Sequence, residues 1–218
     1  MAHKKKHSRL SAALVLSLAW ACMLPATSVG FSESAFIVKP TSATASVDSN
    51  KAGNTFNDLE FDASEDAMIT NNAPIPATWP DSETASNVDF RGWRAWDPNG
   101  SEWIRLDLGQ DYYVKGLHLW NYLEASRQDS GISTISVDVS TDDSTWASAT
   151  IVPGDENLDL WADNDPGALR GEDVRLAKRF TARYIRINAL IANGYAGLSE
   201  VRIIAEPIPH PGTLVILR

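Results

Sequence analysis

The stretch from residue 101 to residue 146 constrains the fold most, because apolar and polar side chains alternate there in three successive runs. The first run reads WIRLDL, the second VKGLHLW and the third ISVDV. Side chains two residues apart lie on the same face of a β-strand, so each run predicts a strand with one buried face. Turn-forming residues at 109–111 separate the first two runs, and those at 141–144 follow the third. This segment therefore predicts short antiparallel strands that pack on an apolar core.

The rest of the chain extends this pattern towards its end. Residues 184–187 and 198–204 supply two further strand segments, and no window shows a sustained helical period. Residues 31–100 carry a weaker signal, with breakers such as Gly53 and Pro74, and we expect one or two strands and long loops there. The pattern predicts an all-β fold, a jelly-roll β-sandwich.

Residues 1–30 are typical of a secretory signal peptide. Four basic residues among the first nine precede the apolar run of residues 10–24, and small residues follow up to Gly30. The apolar run is shorter than the roughly 20 residues of a membrane-spanning helix. We therefore expect cleavage after Gly30, a secreted or cell-surface location, and no stable membrane insertion. Cys22, the only cysteine, lies in this segment, so residues 31–218 offer neither a disulfide nor a cysteine nucleophile.

The rest of the chain is strongly acidic. Taking the four basic residues of residues 1–30 from the 19 Lys and Arg leaves 15, against 28 Asp and Glu, a net charge of −13. Nucleic acids and anionic membranes favour a basic surface, so neither is an expected partner, whereas neutral ligands and calcium are compatible. His118 is the one histidine between residues 8 and 209, which argues against a catalytic triad and against a histidine-rich metal site.

Five motifs occur in an order that carries a family resemblance. They are WIRLDLG at 103–109, VKGLHLWNY at 114–122, VDVSTDDSTW at 137–146, ARYIRI at 182–187 and GLSEVR at 197–202. Together they resemble discoidin domains, also called coagulation factor 5/8 type C domains, which overlap the galactose-binding-like carbohydrate-binding modules of bacterial polysaccharide enzymes. The missing cysteine pair resembles the bacterial branch. Asp143 stands where the family's turn usually has Gly, a change that Asp tolerates.

The resemblance, joined to the signals at both ends of the chain, implies a domain plan. A signal peptide (1–30) precedes an N-terminal linker (31–43), a discoidin-like domain (44–205) and a proline-rich tail (206–218). The tail resembles a truncated bacterial Pro-Glu-Pro sorting signal, because only four apolar residues, 214–217, follow its prolines and no basic cluster comes after them. A plain disordered tail is the alternative.

The resemblance also implies a function. Domains of this kind bind ligands with loops at one end of the sandwich, and most of the carbohydrate-binding ones are not enzymes. Glycoside hydrolysis uses two carboxylates about 5–10 Å apart, and the sequence singles out no such pair. We therefore predict a secreted, non-catalytic module that recognises a glycan or another extracellular polymer. The alternatives are a cell-envelope or matrix adhesion protein with a protein partner, and, further off, a small glycosidase or lyase.

Sugar binding requires an aromatic platform and a few polar groups that bind hydroxyls. Loop-placed residues of both kinds are the predicted ligand site: Trp93, Arg94, Trp96, Asn121, Tyr122, Arg127 and Tyr195. Trp79 is a further loop candidate, whereas Trp103, Trp120 and Trp146 adjoin strands and are expected in the framework. His118 lies between two leucines that face the core, so a surface or ligand-edge role is open for it.

A structural calcium ion is the one cofactor that the resemblance suggests. Related modules hold it with loop carbonyls, a polar side chain in the first half of the domain and a Glu in the final LSE motif, which correspond here to Asn71 and Glu200. Calcium takes 6–8 oxygen ligands, many of them from the backbone, so a thin sequence signature is expected. The alternative for Glu200 is a salt bridge to a nearby arginine. Arg183 and Arg202, which flank strands, are expected to pair with carboxylates or carbonyls.

Overall fold

Strands dominate the chain in its computed structural model, which describes residues 31, 34–47, 52–56, 68–80, 82–83, 92–96, 102–122, 131–158, 168–169, 171–191 and 195–209. The ten strands of these residues are β1 (Phe36–Val38), β2 (Ser42–Ala45), β3 (Ser82–Glu83), β4 (Trp93–Trp96), β5 (Trp103–Asn121), β6 (Ile132–Ser140), β7 (Ala147–Ala149), β8 (Ala168–Leu169), β9 (Glu172–Ile191) and β10 (Tyr195–Glu206). A 3-10 helix spans Gly53–Phe56. The all-β prediction is confirmed.

Two long strands, β5 and β9, determine the architecture because each contributes to both layers. Up to Asp107, β5 pairs with β2 and with the later part of β9; beyond Tyr112, it pairs with β10 and with the earlier part of β9. The later part of β9 also pairs with β6, and β6 pairs with β7. All these pairings are antiparallel, in the order β1-β10-β5-β9-β6-β7, with β4 on β10. The sheet thus folds back on itself as a β-sandwich.

The bend of β5 lies at Gly109, where the sequence predicts a turn between two strands. Gly109 has a φ of +82°, a backbone conformation that favours glycine, and its N–H donates to Asp107 Oδ1 over 2.8 Å. The chain bends there yet continues as one strand, because the residues on both sides pair with β9. The predicted turn is therefore a bend within β5.

The core between the layers follows the alternation of the sequence. Ile104, Leu106 and Leu108 are buried on one face of β5, and Arg105 and Asp107 are half-buried on the other. The second half of β5 joins β6, β9 and β10 in the same apolar cluster. Burying a side chain of this size contributes about 1.5–3 kcal/mol, so the shared core stabilises both layers together.

Arginine–carboxylate pairs join the strands on the outer faces. Arg183 on β9 donates from Nε and Nη2 to the two carboxylate oxygens of Asp107 on β5, over 2.8 and 3.0 Å. This hydrogen-bonded arginine holds the pKa of Asp107 below its usual value. Three similar pairs are Arg105–Asp143, Arg175–Asp155 and Arg186–Asp138. The expected pairing of Arg183 with a carboxylate is confirmed.

The N-terminal boundary predicted for the domain is wrong. Residues 31–43, predicted as a linker, contain β1 and the start of β2. Both strands are paired with the sheet, β1 with β10 and β2 with β5, and Ile37 and Val38 are fully buried. At the other end, β10 continues through Glu206. Residues 1–30 and 210–218 lie outside the described residues, and no helix within the described ones is long and apolar enough to cross a membrane.

The turn after β6 contains Asp143 in a left-handed conformation, with a φ of +62°. Asp142 Oδ1 accepts the N–H groups of Ser144 and Thr145, each over 2.8 Å, which secures the turn. The Asp143 carboxylate accepts from Arg105 Nη1 over 2.6 Å. Asp143 therefore adopts a backbone conformation that glycine would adopt more easily, and in return its carboxylate forms an ion pair with Arg105 of β5.

The left-handed backbone and the ion pair together predict different outcomes for two substitutions at Asp143. Asp143→Gly loses an ion pair worth about 0.2–1 kcal/mol but relieves left-handed strain of about 1 kcal/mol, so its free energy of unfolding should stay within about 1 kcal/mol of the wild type. Asp143→Ala loses the pair and keeps the strain, so it should lose about 0.2–1 kcal/mol relative to the wild type and should be about 1 kcal/mol less stable than the glycine variant. Urea unfolding measures both, and an alanine variant as stable as the glycine variant would contradict this account.

Candidate functional site

The ends of three strands meet at one end of the sandwich, where most of the predicted ligand residues lie. On the backbone ladder, Tyr195 of β10 faces Trp96 of β4. Leu198 of β10 faces Trp93 on one side and Asn121, the last residue of β5, on the other. The backbones of these residues therefore lie together, while the described side chains divide between two roles.

Arg94 and Tyr195 form a stacked pair on the outward face of the sheet. The guanidinium carbon of Arg94 lies 3.7 Å from the centre of the Tyr195 ring, at cation–π distance, and both side chains are half-buried. Arg94 faces Gly197 across the ladder, and because glycine has no side chain, the guanidinium has room to reach the tyrosine. The pair joins a planar group of N–H donors to an aromatic ring.

Trp93 lies on the opposite face of β4, and its prediction as a ligand residue is wrong. Its side chain is fully buried in the shared core, and its indole Nε1 donates to the carbonyl of Val47 over 3.1 Å. Side chains alternate along a strand, so the outward position of Arg94 requires Trp93 to face inward. No sugar ring can stack on an indole with no exposed surface.

Asn121 and Tyr122 are also framework residues, contrary to the prediction. Asn121 Nδ2 donates to the carbonyl of Ile132 over 2.9 Å, and its Oδ1 accepts the N–H groups of Ile132 and Tyr122 over 2.8 and 2.9 Å. Both side chains are buried, and the Asn121 amide acts like a piece of backbone that pairs the end of β5 with the start of β6. Arg127 and the side chain of Trp96 lie outside the described residues.

A second aromatic cluster covers the outward face of β5, around His118. Trp79 stacks on the imidazole with 3.9 Å between ring centres, and Trp120 meets it edge-on at 4.4 Å. Trp120 Nε1 donates to the carbonyl of Pro80 over 2.9 Å, which holds the segment 68–80 against the sheet. The expected outward orientation of His118 is right, but the expected surface role is wrong, because this segment leaves only 2% of the residue exposed.

The environment of His118 favours the neutral imidazole. Its Nδ1 lies 2.7 Å from Asp173 Oδ1, and its buried Nε2 has no hydrogen-bond partner among the described residues. A side chain at Gly171 would place a Cβ only 2.0 Å from that Nε2, so the backbone closes over the ring. Desolvation lowers the pKa of His118 despite the opposing effect of Asp173. No local sequence signal marks this cluster, since its members come from distant segments.

The residues proposed for calcium do not fit that ion. Asn71 is exposed, and its Oδ1 accepts the N–H of Lys39 over 3.1 Å. Glu200 is fully buried, with Oε2 3.4 Å from Nη1 of the equally buried Arg202. The described residues contain no group of three His, Cys, Asp or Glu that could hold a metal. The guanidinium of Arg202 thus lies beside a carboxylate oxygen of Glu200. The predicted alternative for Glu200, a salt bridge to a nearby arginine, is confirmed.

Comparison with known proteins supplies a family and several structural neighbours. The family model for the F5/8 type C domain matches residues 60–202, and no curated protein sequence matches. Among solved structures, a truncated AlyQ with CBM32 and alginate lyase domains is 19% identical, with a TM-score of 0.48 over 84% of this chain; the chain spans 36% of that protein. A family 32 carbohydrate-binding module from NanJ of Clostridium perfringens, in complex with galactose, is 12% identical, with a TM-score of 0.47, over 78% of this chain and 98% of that one. An F5/8 type C domain from Bacteroides fragilis is 13% identical, with a TM-score of 0.48, over 81% of this chain and all of that one.

The buried histidine predicts a pH-dependent stability. Because its pKa is lowered in the folded state, the unfolded chain binds the proton first, and the free energy of unfolding should decrease as pH falls below about 6.5. The paired carboxylates of the outer faces have lowered pKa values as well, but their contribution is lost only at more acidic pH, below about 4. Urea unfolding between pH 7.5 and 5 measures the effect.

A matched pair of variants assigns this pH dependence. His118→Asn retains a side-chain amide near the position of Nδ1 but does not titrate, so its stability should be nearly constant over this pH range. His210→Asn removes the other histidine of residues 31–218 and should keep the wild-type dependence. Equal pH profiles for the wild type and His118→Asn would contradict the account.

Proposed function

The chain belongs to the F5/8 type C domain family, and on that premise we propose that it is a non-catalytic module that binds a neutral carbohydrate where β4, β5 and β10 meet. The observation that carries the proposal is the stacked pair of Arg94 and Tyr195 on the outward face of this end. The predicted export of the chain, which rests on residues 1–30, would bring the module to extracellular glycans.

The pair has the chemistry that a pyranose ring requires. A sugar presents C–H groups on its flat faces and hydroxyl groups around its edge, so it is bound by aromatic rings together with planar hydrogen-bond donors. Arg94 carries five N–H donors on a planar guanidinium. Tyr195 adds a ring and a hydroxyl group that both donates and accepts. Neither side chain is a carboxylic acid of the kind that protonates a glycosidic oxygen, so the pair favours binding over bond cleavage.

The buried residues of this end make the candidate site rigid. Trp93 anchors β4 in the core directly beside Arg94, and Asn121 ties the end of β5 to the start of β6. A site whose backbone is already ordered loses less conformational entropy when a ligand binds. Trp93 and Asn121, which do not contact a ligand as predicted, therefore hold the backbone that carries Arg94 and Tyr195.

Charge and surface composition favour a neutral glycan over other partners. The net charge of −13 for residues 31–218 disfavours polyanions by repulsion. Stable protein interfaces have a core rich in apolar and aromatic side chains, but among the described residues Val47 and Met68 are the large apolar side chains that are exposed. They lie in separate segments of the chain. These features support a sugar ligand more than a protein partner.

The carboxylates on the outer faces also support a non-catalytic role. A glycosidase keeps one carboxylic acid protonated near neutral pH by raising its pKa. Hydrogen bonds from arginines instead hold the pKa values of Asp107 and Asp155 below the usual value. Burial acts to raise the pKa of Asp138, but hydrogen bonds from Arg186, Asn188 and Ser148 together outweigh it and lower that pKa as well. These acids are ionised structural partners and not proton donors.

Two substitutions test the site. Arg94→Ala removes charged hydrogen bonds worth about 1.5–3 kcal/mol, and Tyr195→Ala removes the ring, so each should weaken sugar binding about tenfold or more. A glycan array that includes galactose would identify the ligand, and calorimetry would then measure its affinity for each variant. Binding of no saccharide by the folded wild type would refute the proposal.

The opposite end of the sheet offers a matched control. There, Arg179 lies over the ring of Tyr113, with its guanidinium carbon 4.3 Å from the ring centre, and Tyr113 faces Glu206 at the far end of β10. Arg179→Ala and Tyr113→Ala delete the same two chemical groups at the end of the sheet away from the candidate site, so they should leave sugar affinity unchanged. Equal losses at both ends would indicate a general effect on the fold and contradict the assignment of the site.

A further inference from the structure

Glu200 and Arg202 form a buried ion pair on the outward face of β10. They are two residues apart on one strand, so their side chains lie on the same face, and neither has any exposed surface. Segment 68–80 covers them: Ile69 from this segment and Trp120, which faces Glu200 across the ladder, belong to one small apolar cluster. A charge buried in such surroundings is costly unless it is compensated.

The guanidinium of Arg202 connects three oxygen atoms. Its Nε donates to the carbonyl of Ile69 over 3.0 Å, and its Nη1 donates to the carbonyl of Val201 over 2.8 Å and lies 3.4 Å from Oε2 of Glu200. Burial lowers the pKa of Arg202 to about 9, which still leaves the side chain protonated at neutral pH. The group is thus a fixed positive charge, held between a carboxylate of β10 and a carbonyl of the covering segment.

These partners are the kind of oxygen ligands that a calcium ion would use. A carboxylate from the final motif and the carbonyl of Ile69 from the first half of the domain are hard ligands, and Ca²⁺ would bind them at 2.3–2.6 Å. An ion at that distance from Glu200 would lie close to the guanidinium, and like charges repel strongly where water is excluded. A calcium ion bound to Oε2 of Glu200 would therefore compete with the guanidinium for that oxygen.

We infer that Arg202 takes the place of a structural calcium ion in this chain, so that a covalently attached guanidinium joins segment 68–80 to β10. The domain then needs no divalent ion to fold or to keep its shape. This inference does not depend on the proposed function, because it concerns the opposite face of β10 from the core and makes no use of Arg94 or Tyr195.

The stability of the wild type in EDTA and in excess calcium tests the inference. A ligand that binds the folded state raises its Tm, so an unchanged Tm is the expected result. A Tm that rises with calcium would overturn the inference. Terbium gives a second readout, because an ion bound at Glu200 would lie near Trp120 and show emission on excitation of tryptophan. The wild type should show no such emission, and emission that depends on Glu200 would overturn the inference.

Arg202→Gln provides the converse test. The substitution removes the positive charge that lies 3.4 Å from the buried carboxylate of Glu200, so the Tm measured in EDTA should fall by several degrees or more. Calcium should restore part of that loss, and terbium emission should appear and vanish again in Glu200→Gln/Arg202→Gln. A folded Arg202→Gln variant whose Tm does not rise with calcium and which shows no terbium emission would overturn the inference. Should this variant not fold in either condition, the two wild-type measurements decide the question.

A control separates the buried pair from ordinary ion pairs. Arg183→Gln breaks the pair with Asp107, in which the arginine side chain is 39% exposed, so water and salt can compensate the carboxylate. This variant should lose less stability than Arg202→Gln and should not respond to calcium. A calcium response of equal size in both variants would show unspecific binding to acidic residues and would overturn the inference.

Discussion

The alternation of side chains along β10 is the constraint on which the rest of the structure depends, because both faces of this strand are covered. Its inward residues, such as Val201 and Ile203, join the core that the two layers share. Its outward residues, Glu200 and Arg202, lie beneath segment 68–80 and are buried as well. The outward face of an antiparallel sheet commonly meets water. Between Ala196 and Ala205 the outward face of β10 does not, so each polar group there must find a partner within the protein.

Local alternation in the sequence is enough to predict the strands but not their limits. Ile104 and Leu106 indicate a strand because apolar residues recur there at every second position. This signal can be recognised without knowing the partner strand. Gly109 carries the same local signal whether the chain turns or bends; pairing with distant β9 makes it a bend. The three residues of β1 are too few to show a period, and their pairing with β10 joins segments far apart in the chain. Their mistaken prediction as a linker has this origin.

The candidate site shows the same division between local and distant information. Residue type marks Trp93 and Arg94 equally as ligand candidates, and only the face of β4 on which each lies separates a core indole from an outward guanidinium. The role of Asn121 depends on Ile132, which comes 11 residues later in the sequence. The burial of His118 depends on Trp79, which comes from a remote part of the chain. The resemblance to a known family predicts a ligand site in the loops at one end of the sandwich. It does not tell which side chains point outward, since that depends on the pairing of short strands.

The pairing of β1 with β10 has a consequence for the order of assembly. The first strand of the sheet hydrogen-bonds to the last one, so its place in the fold does not exist until the end of the domain has been synthesised. Contacts between residues so far apart in the chain close slowly, because a long loop must be brought together before any pairing energy is gained. A ribosome-bound chain of this kind therefore leaves this part of the sheet unpaired until β10 has been synthesised, and chaperones have that interval in which to bind it.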